Sequence, residues 1–426
     1  MELEIEKLVY GGDGLARFAP TGERRGKAVF VPFTLPGERV EAVALEERSG
    51  FLRARAEKLL KPSDKRIEPH CQYFLRCGGC HYQHTNYQHQ LEIKTEILRE
   101  TLRRTAQLDW QQEIVVHPSP EWNYRNRTRM RLREQPFALG YYKFGSHELL
   151  PVTECPISSP TINRAIRAIG KLGDKGIFTG SGIEEVEFFV NHDDSKMLLE
   201  FYTREPPNPS EANELYAAVR EAAPEITSAA WFEAGADTAP GHVGGSGRLD
   251  YQVNSYSYRV SAGSFFQTNR FLTGKLLERV ANGRSGKLAL DLYSGVGLFA
   301  VPLGRYFENV IAVEASPSSF ADLKHNAPGN VHAHQATTEQ FLNATSLRGA
   351  PELIVVDPPR AGLGERVAHE LVRIGAPRLT YVSCDPATAA RDLRVLIAGG
   401  YGLEALHFID LFPQTFHIES IFQLVR

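Results

Sequence analysis

A cysteine that follows a buried strand is the side chain in this sequence best suited to nucleophilic chemistry. The apolar run at 378–383 predicts a strand, and Cys384 comes directly after it and before Asp385-Pro386. A thiol at this position lies at a sheet edge and faces the crevice where α/β folds bind their ligands. A single free cysteine is more often a buried structural residue, so its neighbours must decide between the two roles.

Three further motifs favour the chemical role of this cysteine. They are Asp291-Leu-Tyr-Ser-Gly-Val-Gly297, Asp357-Pro-Pro-Arg360 and His417-Ile-Glu419. The carboxylate of Glu419 supplies a general base, although by itself it also fits a surface residue. Asp357 by itself also fits a helix N-cap, because Asp-Pro-Pro commonly starts a turn. Together with Cys384, the motifs predict a methyl-donor site with a cysteine nucleophile and a base.

The glycine motif predicts a nucleoside site. A strand at 287–293 leads into Gly295 and Gly297, where backbone can approach a ligand at a helix N-terminus. The next strand, 309–314, ends at Glu314, which is placed to accept hydrogen bonds from ribose hydroxyls. The third glycine of the dinucleotide-binding pattern is missing, since 298–300 reads Leu-Phe-Ala. The pattern therefore favours S-adenosylmethionine over a dinucleotide.

Four of the five cysteines are spaced as ligands of a metal or cluster. They are Cys71, Cys77, Cys80 and Cys155. Four thiolates suit either an iron–sulfur cluster or tetrahedral zinc, and the spacing does not decide between them. The short first loop and a distant fourth cysteine followed by proline favour the cluster, while unligated thiols are the remaining alternative. Three nearby histidines are possible zinc ligands, but we expect them to be surface residues: His70, His81 and His84.

The composition is that of a soluble globular chain of two or three domains. The 426 residues carry a net charge of −3, with an excess of basic residues in 51–150 (17 against 11 acidic). A basic segment beside an acidic remainder is compatible with local phosphate binding. Without an apolar segment at the start or a run of 18 apolar residues, we expect a cytoplasmic protein with no membrane partner. We also expect a monomer.

Two segments predict contact with nucleic acid. Residues 1–62 have the short alternating strands and turns of an OB-like barrel, although a structural or protein-binding barrel fits the same pattern. Between Arg125 and Arg133 five arginines recur with period two, so an extended strand places all five on one face. Such a row predicts salt-sensitive phosphate binding, and the alternative is a solvated edge strand.

The rest of the chain predicts an α+β segment followed by an α/β segment. Helices are expected at 88–107, 160–172 and 211–222, with strands at 184–190 and 196–202. From about 260, strands and helices alternate, which is typical of a parallel sheet covered on both faces. We therefore expect domains at 1–62, 63–260 and 261–426, with the helix near 88–107 packed on the last of them.

The chain as a whole resembles the RNA uracil-5-methyltransferase family. The resemblance rests on the motifs above together with Phe265-Phe-Gln-Thr-Asn269, and it is strongest to the branch with an N-terminal TRAM barrel and a four-cysteine iron–sulfur site. It implies a class I methyltransferase domain at the C-terminus, Cys384 as nucleophile and Glu419 as base. It also implies a [4Fe-4S] cluster on Cys71, Cys77, Cys80 and Cys155. The residues implied for S-adenosylmethionine are Gln267, Tyr293, Gly295, Gly297, Glu314 and Asp357.

The expected activity is methylation of C5 of a uridine in RNA, through addition of Cys384 to C6. The resemblance favours ribosomal RNA; transfer RNA, cytosine C5 methylation and a non-catalytic RNA-binding or redox-sensing module are the alternatives. The target base would be flipped out, with Phe265 and Phe266 as candidates for stacking on it. The sequence departs from many members of the family at three positions, namely Leu298, Asp385 and Gln414.

Overall fold

The N-terminal strands close into a small barrel. A computed structural model describes residues 1–18, 26–235, 239–344 and 350–426. The barrel has the strand order β1-β2-β3-β5-β4 and buries an alternating set of apolar side chains, including Leu3 and Ile5. This alternation arises because successive side chains of a strand point to opposite faces. The predicted barrel is confirmed, and its strands are β1 (Glu2–Leu8), β2 (Asp13–Phe18), β3 (Lys27–Pro32), β4 (Arg39–Glu47) and β5 (Phe51–Lys61).

A helix and a short strand connect the barrel to the rest of the molecule. Helix α1 (Tyr87–Thr101) continues into a π-helical turn (Leu102–Ala106), and strand β6 (Val115–His117) follows. The predicted helix at 88–107 is therefore confirmed. Its apolar face belongs to the same core as the C-terminal helices, and β6 forms the last strand of the C-terminal sheet.

The middle of the chain forms a seven-stranded sheet and a separate hairpin. The sheet has the order β13-β12-β11-β10-β7-β8-β9 and packs α2 and α3 against a common core. The predicted helices and strands in this segment are confirmed to within a few residues. The elements are β7 (Arg127–Arg133), β8 (Ala138–Tyr142), β9 (Leu149–Pro151), α2 (Pro160–Asp174), β10 (Ile183–Val190), β11 (Met197–Thr203), α3 (Pro209–Ala222), β12 (Ile226–Glu233), β13 (His242–Gly245), β14 (Arg248–Val253) and β15 (Tyr256–Ser261).

Three of the five arginines in the row are compensated by carboxylates, contrary to the expectation of a free cationic face. In the antiparallel pairing of β7 with β10, Glu187 lies opposite Arg129 and Glu185 lies opposite Arg131. Arg129 Nε donates to Glu187 at 2.5 Å, and Arg131 forms an ion pair with Glu185 at 2.8 Å. Arg127 likewise pairs with Glu187. The premise of unpaired like charges was wrong, because β10 supplies acidic residues on the same face.

The C-terminal segment is a sheet of eight strands with helices on both faces. Its order is β18-β17-β16-β19-β20-β22-β21-β6, and β22 alone runs antiparallel to its neighbours. The predicted parallel sheet is confirmed except for the direction of this strand. The elements are α4 (Thr273–Ala281), β16 (Gly286–Leu292), α5 (Ala300–Leu303), β17 (Phe307–Glu314), α6 (Pro317–Asn326), β18 (Val331–Gln335), α7 (Thr338–Ala344), β19 (Leu353–Val356), α8 (Gly364–Ile374), β20 (Arg378–Ser383), α9 (Pro386–Ala398), β21 (Gly402–Ile409) and β22 (Glu419–Val425).

This topology brings the chemically active motifs to one edge of the sheet. The parallel strands β16, β17, β19 and β20 end at that edge, and the antiparallel strand β22 begins there. Ligands of open α/β sheets bind outside the carboxyl ends of the strands. No helix among the described residues is long and apolar enough to cross a membrane.

Candidate active site

The nucleophile and the base of the predicted site lie on adjacent strands. Strands β20 and β22 pair antiparallel, with Ser383 opposite Ser420. The next step in this register places Cys384, just past β20, opposite Glu419, the first residue of β22. Side chains of opposite residues share a face and lie about 5 Å apart at Cβ. The topology therefore brings together two groups that are far apart in sequence.

The acidic groups of the site interact strongly because they are sheltered from water. Glu419 is 4 % exposed, and its burial and the neighbouring Asp357 raise its pKa well above the ordinary value. Burial also raises the pKa of Asp357 to about 7. For Cys384, burial and the charges of Glu419 and Asp357 raise the pKa to about 12, against the opposing effect of Arg360. The crevice thus favours protonated groups, and a cation bound in it would favour their charged forms.

Helix α9 starts just after Cys384, the predicted nucleophile, and a residue of the barrel reaches this point. Asp385 caps the helix by accepting hydrogen bonds from the backbone N–H groups of Ala387 and Thr388, at 2.9 and 3.0 Å. Its other carboxylate oxygen accepts a hydrogen bond from the Tyr10 hydroxyl at 3.1 Å. The Tyr10 ring packs edge-on against Phe416, with 5.5 Å between ring centroids. Sequence reasoning missed Tyr10, because nothing in the β1–β2 turn indicates a partner so distant in sequence.

The predicted nucleoside loop has an open, glycine-lined shape. Gly295 adopts φ +55°, and a Cβ at this position would meet no atom within 4 Å, so the backbone borders open space. At Gly297, a Cβ would lie 3.0 Å from Leu323. Glu314 accepts hydrogen bonds from the backbone N–H groups of Gly295 and Ser316, at 2.8 and 2.7 Å. These bonds fix its carboxylate at the end of β17, where a ribose can bind.

Two more predicted cofactor residues and one that was missed complete this part of the crevice. Gln267, 7 % exposed, donates a long hydrogen bond of 3.4 Å to Asp357. Tyr293 follows β16 with a left-handed φ of +62°. Asp291 is fully buried, neither of its carboxylate oxygens has a hydrogen-bond partner, and burial raises its pKa to about 8. The sequence signal that could have identified Asp291 is a carboxylate inside an otherwise apolar strand.

The mouth of the crevice carries a cation and an exposed aromatic ring. Arg360 approaches His417 at 3.2 Å between Nη2 and Nε2. Phe265 is 63 % exposed, whereas Phe266 is buried and packs against Tyr251 with 4.5 Å between centroids. Of the two phenylalanines proposed to stack on a base, Phe265 alone is therefore available, since Phe266 belongs to the core.

Comparison with known proteins identifies the family to which these residues belong. The family model described as tRNA (Uracil-5-)-methyltransferase matches residues 86–426, and that of the TRAM domain matches residues 1–56. The chain belongs to the RNA uracil-5-methyltransferase family. It is an S-adenosylmethionine-dependent RNA methyltransferase with an N-terminal TRAM domain, so the predicted recognition and enzyme class are confirmed.

Relatives of this methyltransferase match it over nearly its whole length. An uncharacterized RNA methyltransferase of Aquifex aeolicus is 34% identical over 99% of this chain and 97% of its own. A 23S rRNA (uracil(1939)-C(5))-methyltransferase of Pseudomonas entomophila is 30% identical over 98% of this chain and 92% of its own. The fold matches that of the Pyrococcus abyssi tRNA (uracil-54, C5)-methyltransferase bound to S-adenosyl-L-homocysteine, with a TM-score of 0.75, 24% identity and full coverage of both chains.

The four cysteines predicted as ligands line one cavity of the methyltransferase. The cavity has a volume of about 310 Å³ and includes Cys71, Cys77, Cys80, Cys155 and Arg125 in its wall. The Nε atom of Arg125 is buried there without a hydrogen-bond partner. Burial raises the pKa of Cys77 to about 11, so a metal is needed to hold these thiols as thiolates. The donor set and the unpartnered guanidinium fit an anionic thiolate-bound group.

None of the three nearby histidines is in the wall of this cavity. His84, expected at the surface, is buried and stacks on Phe74 with 5.6 Å between centroids. That expectation was wrong because the segment after the cysteines folds back against the barrel, where His84 Nε2 lies 3.4 Å from the carbonyl oxygen of Thr34.

Proposed function

We propose that this methyltransferase methylates C5 of a specific uridine in ribosomal RNA, with Cys384 as the nucleophile and Glu419 as the general base. The observation that carries the proposal is the strand register, which puts these two residues opposite each other at the sheet edge. The similarity to a 23S rRNA methyltransferase over nearly the whole chain supports ribosomal RNA as the substrate.

Cys384 makes the uracil ring reactive. C5 of uracil is a weak nucleophile, so electron density must be delivered to the ring before it can be alkylated. The Cys384 thiolate forms a bond to C6, and the C5=C6 electron pair moves toward the carbonyl at C4 as an enolate. S-adenosylmethionine supplies the methyl group that C5 then takes. The N-terminus of α9 and the side chain of Arg360 favour the thiolate that this addition requires.

Glu419 completes the reaction. After methylation, C5 carries both a methyl group and its original proton. Glu419 removes that proton, the C5=C6 double bond forms again, and the C6–S bond breaks to release Cys384 as a thiolate. Burial raises the pKa of Glu419, which makes its carboxylate a stronger base than an exposed glutamate.

The residues at the ends of β16, β17 and β19 hold S-adenosylmethionine in this proposal. Gly295 and Gly297 let the nucleoside approach the backbone, and Glu314 accepts hydrogen bonds from the ribose. The side chains of Tyr293, Gln267 and Asp357 surround the rest of the cofactor. The open space at Gly295 supports a ligand at this position.

In this proposal the whole chain divides into an RNA-binding barrel (1–62), a central domain (63–260) and the catalytic domain (261–426). The protein acts as a monomer, and its barrel captures RNA. Phe265 stacks on a base beside the flipped uridine. Segment 87–117 of the central domain works with the catalytic domain, since α1 packs in its core and β6 is the edge strand of its sheet.

The central domain holds a [4Fe-4S] cluster on Cys71, Cys77, Cys80 and Cys155. Zinc–sulfur bonds of about 2.3 Å would bring four thiolates into contact around one ion and leave no cavity. The four cysteines share the wall of a cavity of about 310 Å³, which has room for a group larger than one ion. Over the described residues, no three His, Cys, Asp or Glu side chains are grouped closely enough to hold a metal ion, so the proposal rests on the shared cavity and on the family resemblance.

A tritium-release assay tests the activity. RNA carrying tritium at C5 of uracil is incubated with S-adenosylmethionine and the wild type, Cys384→Ala or Glu419→Gln. Wild type should release tritium, Cys384→Ala should release none, and Glu419→Gln should accumulate a methylated covalent adduct. Absence of release from total RNA of a strain lacking the enzyme would exclude uracil C5 as the target. Release from purified transfer RNA but not from 23S RNA would move the substrate to transfer RNA.

The cluster is tested separately by anaerobic purification and analysis of iron, zinc and sulfide. About four iron and four sulfide per chain are expected, with loss of both in Cys77→Ser. One zinc per chain without sulfide would contradict the cluster and leave the uracil chemistry untouched.

A further inference from the structure

The loop that leads into Glu419 is held from outside the catalytic sheet. This base loop, 410–418, joins β21 to β22. Four consecutive carbonyl oxygens of the loop accept hydrogen bonds from groups elsewhere in the chain. The donors are Asn269 Nδ2 to Leu411 (3.0 Å), Lys94 Nζ to Phe412 (2.9 Å), the Tyr124 hydroxyl to Pro413 (3.0 Å), and the backbone N–H groups of His81 and Tyr82 to Gln414 (2.8 and 3.0 Å).

Gln414 is the most heavily bonded residue of the base loop. Its backbone N–H donates to Gln90 Oε1 at 3.0 Å, and its side-chain oxygen accepts from Gln90 Nε2 at 2.9 Å. Its side-chain nitrogen donates to Glu121 at 3.2 Å. Gln414 is 1 % exposed, so its amide faces this interface and not the substrate crevice.

The backbone of Gln414 also depends on these bonds. Its φ of +68° lies in the left-handed region, which is unfavourable for a glutamine. Such a conformation persists only where the surroundings determine it. The hydrogen bonds to Gln90, His81 and Tyr82 hold the backbone of Gln414 in this conformation.

Two of the anchors of Gln414 belong to segment 71–82, which we name the four-cysteine segment because its Cys71, Cys77 and Cys80 share one cavity with Cys155. His81 and Tyr82 follow Cys80 directly in sequence, and Gln90 lies one turn into α1. Five residues after Gln414, Glu419 begins β22. A displacement of the four-cysteine segment is therefore transmitted to the base loop through Gln414.

We propose that Gln414 is a positioning residue, which fixes the carboxylate of Glu419 by tying the base loop to the four-cysteine segment. The proposal rests on the role of Glu419 as the base. It gives the four-cysteine segment a task in a reaction that requires no electron transfer: the segment is a mechanical support for proton removal.

The support acts on one step of the reaction. Cys384 is positioned separately, by β20 and by the Asp385 cap of α9, so loss of the Gln414 bonds leaves the nucleophile in place. A displacement of about 1 Å can slow a catalytic step about 100-fold. Weakening the tie should therefore slow proton removal and leave the methylated adduct on Cys384 to accumulate.

The variants for the test are Gln414→Ala and Gln90→Ala, which both remove the hydrogen bond between the two side-chain amides. Gln414→Ala also removes the bond to Glu121, and Gln90→Ala also removes the bonds to the Gln414 backbone N–H and to the carbonyls of Tyr82 and Thr85. Gln90→Ala keeps the left-handed residue, so it remains informative if Gln414→Ala fails to fold. The matched control is Gln423→Ala on the same strand as Glu419. Gln423 also has two tertiary hydrogen bonds, to the Arg279 carbonyl at 3.0 Å and from Arg284 at 3.2 Å, but it makes none to the base loop.

Three measurements are made on each variant: tritium release, covalent adduct on a denaturing gel, and hydrogen exchange of peptides covering 410–418. Both test variants should release tritium about tenfold to 100-fold more slowly, accumulate adduct, and exchange about tenfold faster in the base loop. Gln423→Ala should resemble wild type in all three.

Release at the wild-type rate in Gln414→Ala and Gln90→Ala would overturn the proposal. So would slow release without adduct, or the same effects in Gln423→Ala, since both would indicate general destabilisation. A Glu419→Gln variant run in parallel keeps the two ideas apart. If it releases tritium normally, Glu419 is not the base and the proposed function fails first.

Discussion

At the scale of single residues, the chemistry of the site depends on a thiol that its own surroundings keep protonated. Burial and the carboxylates of Glu419 and Asp357 raise the pKa of Cys384 to about 12. A positive charge beside the thiol lowers its pKa, because it favours the thiolate. S-adenosylmethionine carries such a charge on sulfur, whereas S-adenosylhomocysteine is a neutral thioether of nearly the same shape. The substrate cation can thus help to activate the nucleophile.

This dependence predicts a charge-specific change in the reactivity of Cys384. The rate of alkylation by iodoacetamide is measured against pH, with modification of the Cys384 peptide quantified by mass spectrometry. Bound S-adenosylmethionine should lower the apparent pKa of the thiol by about one unit or more relative to bound S-adenosylhomocysteine. Glu419→Gln should also lower it, since this variant removes a nearby negative charge. Identical pH profiles with the two ligands would contradict the prediction.

Asp291 predicts a pH dependence of stability. Burial raises its pKa from 3.8 to about 8, so between these values the folded chain holds a proton that the unfolded chain releases. Its stabilising contribution is complete below pH 3.8 and is lost progressively until about pH 8, at about 1.4 kcal/mol per pH unit. Asp291→Asn lacks this titration. The difference in unfolding free energy between variant and wild type should therefore shift toward the variant from pH 5 to pH 8, as measured by urea denaturation at about one-unit intervals. A pH-independent difference would show that Asp291 is ionised in the folded chain.

At the scale of secondary-structure elements, β7 illustrates how a strand's partner decides the function of its face. The side chains of Arg127, Arg129 and Arg131 are held by carboxylates of β10. Arg133, at the end of the strand, has no carboxylate partner in the described part of the chain and donates to the Pro136 carbonyl. Phosphate contacts from this face are therefore expected at Arg133 and not along the row.

Salt titrations of RNA binding distinguish these arginines. Replacing a residue that contacts phosphate reduces the slope of log affinity against log salt by about 0.7 for single-stranded RNA. Arg129→Gln should leave the slope unchanged, although it should destabilise the fold by leaving Glu187 with one fewer partner. Arg133→Gln, on the same strand, should reduce the slope by about 0.7. A reduced slope in Arg129→Gln would instead support phosphate binding along the whole arginine row.

The elements themselves were predictable, whereas their pairing was not. The strand predicted at 378–383 coincides with β20, because apolar runs and turn residues are local signals. The proximity of Glu187 to Arg129 depends on pairing between strands that the sequence separates by β8, β9 and α2. The antiparallel direction of β22 was also unpredicted, although the short connection from β21 was the available signal. For the same reason, Cys384 and Glu419 were identified as a pair from family motifs and not from local pattern.

At the scale of the whole molecule, the parts meet at the catalytic crevice. The barrel contributes Tyr10, the four-cysteine segment contributes the anchors of Gln414, and the sheet supplies Cys384 and Glu419. The contact of the barrel is small but chemically specific, since the Tyr10 hydroxyl donates to the residue that caps the helix beside the nucleophile. Burial and the adjacent Asp385 raise the pKa of Tyr10, so the hydroxyl stays protonated and keeps donating. The barrel can therefore influence the reaction as well as capture RNA.

Tyr10→Phe separates these two roles, because it removes the hydrogen bond to Asp385 and keeps the ring packed on Phe416. A hydrogen bond of this kind contributes about 1 kcal/mol, so formation of the covalent adduct at saturating RNA should slow about fivefold, with RNA affinity unchanged. Tyr10→Ala also removes the ring contact and should lower affinity as well. The control is Tyr306→Phe, at a position 40 % exposed. If Tyr10→Phe weakens RNA binding while the single-turnover rate stays at the wild-type value, the barrel acts through capture alone and the bond to Asp385 is incidental to catalysis.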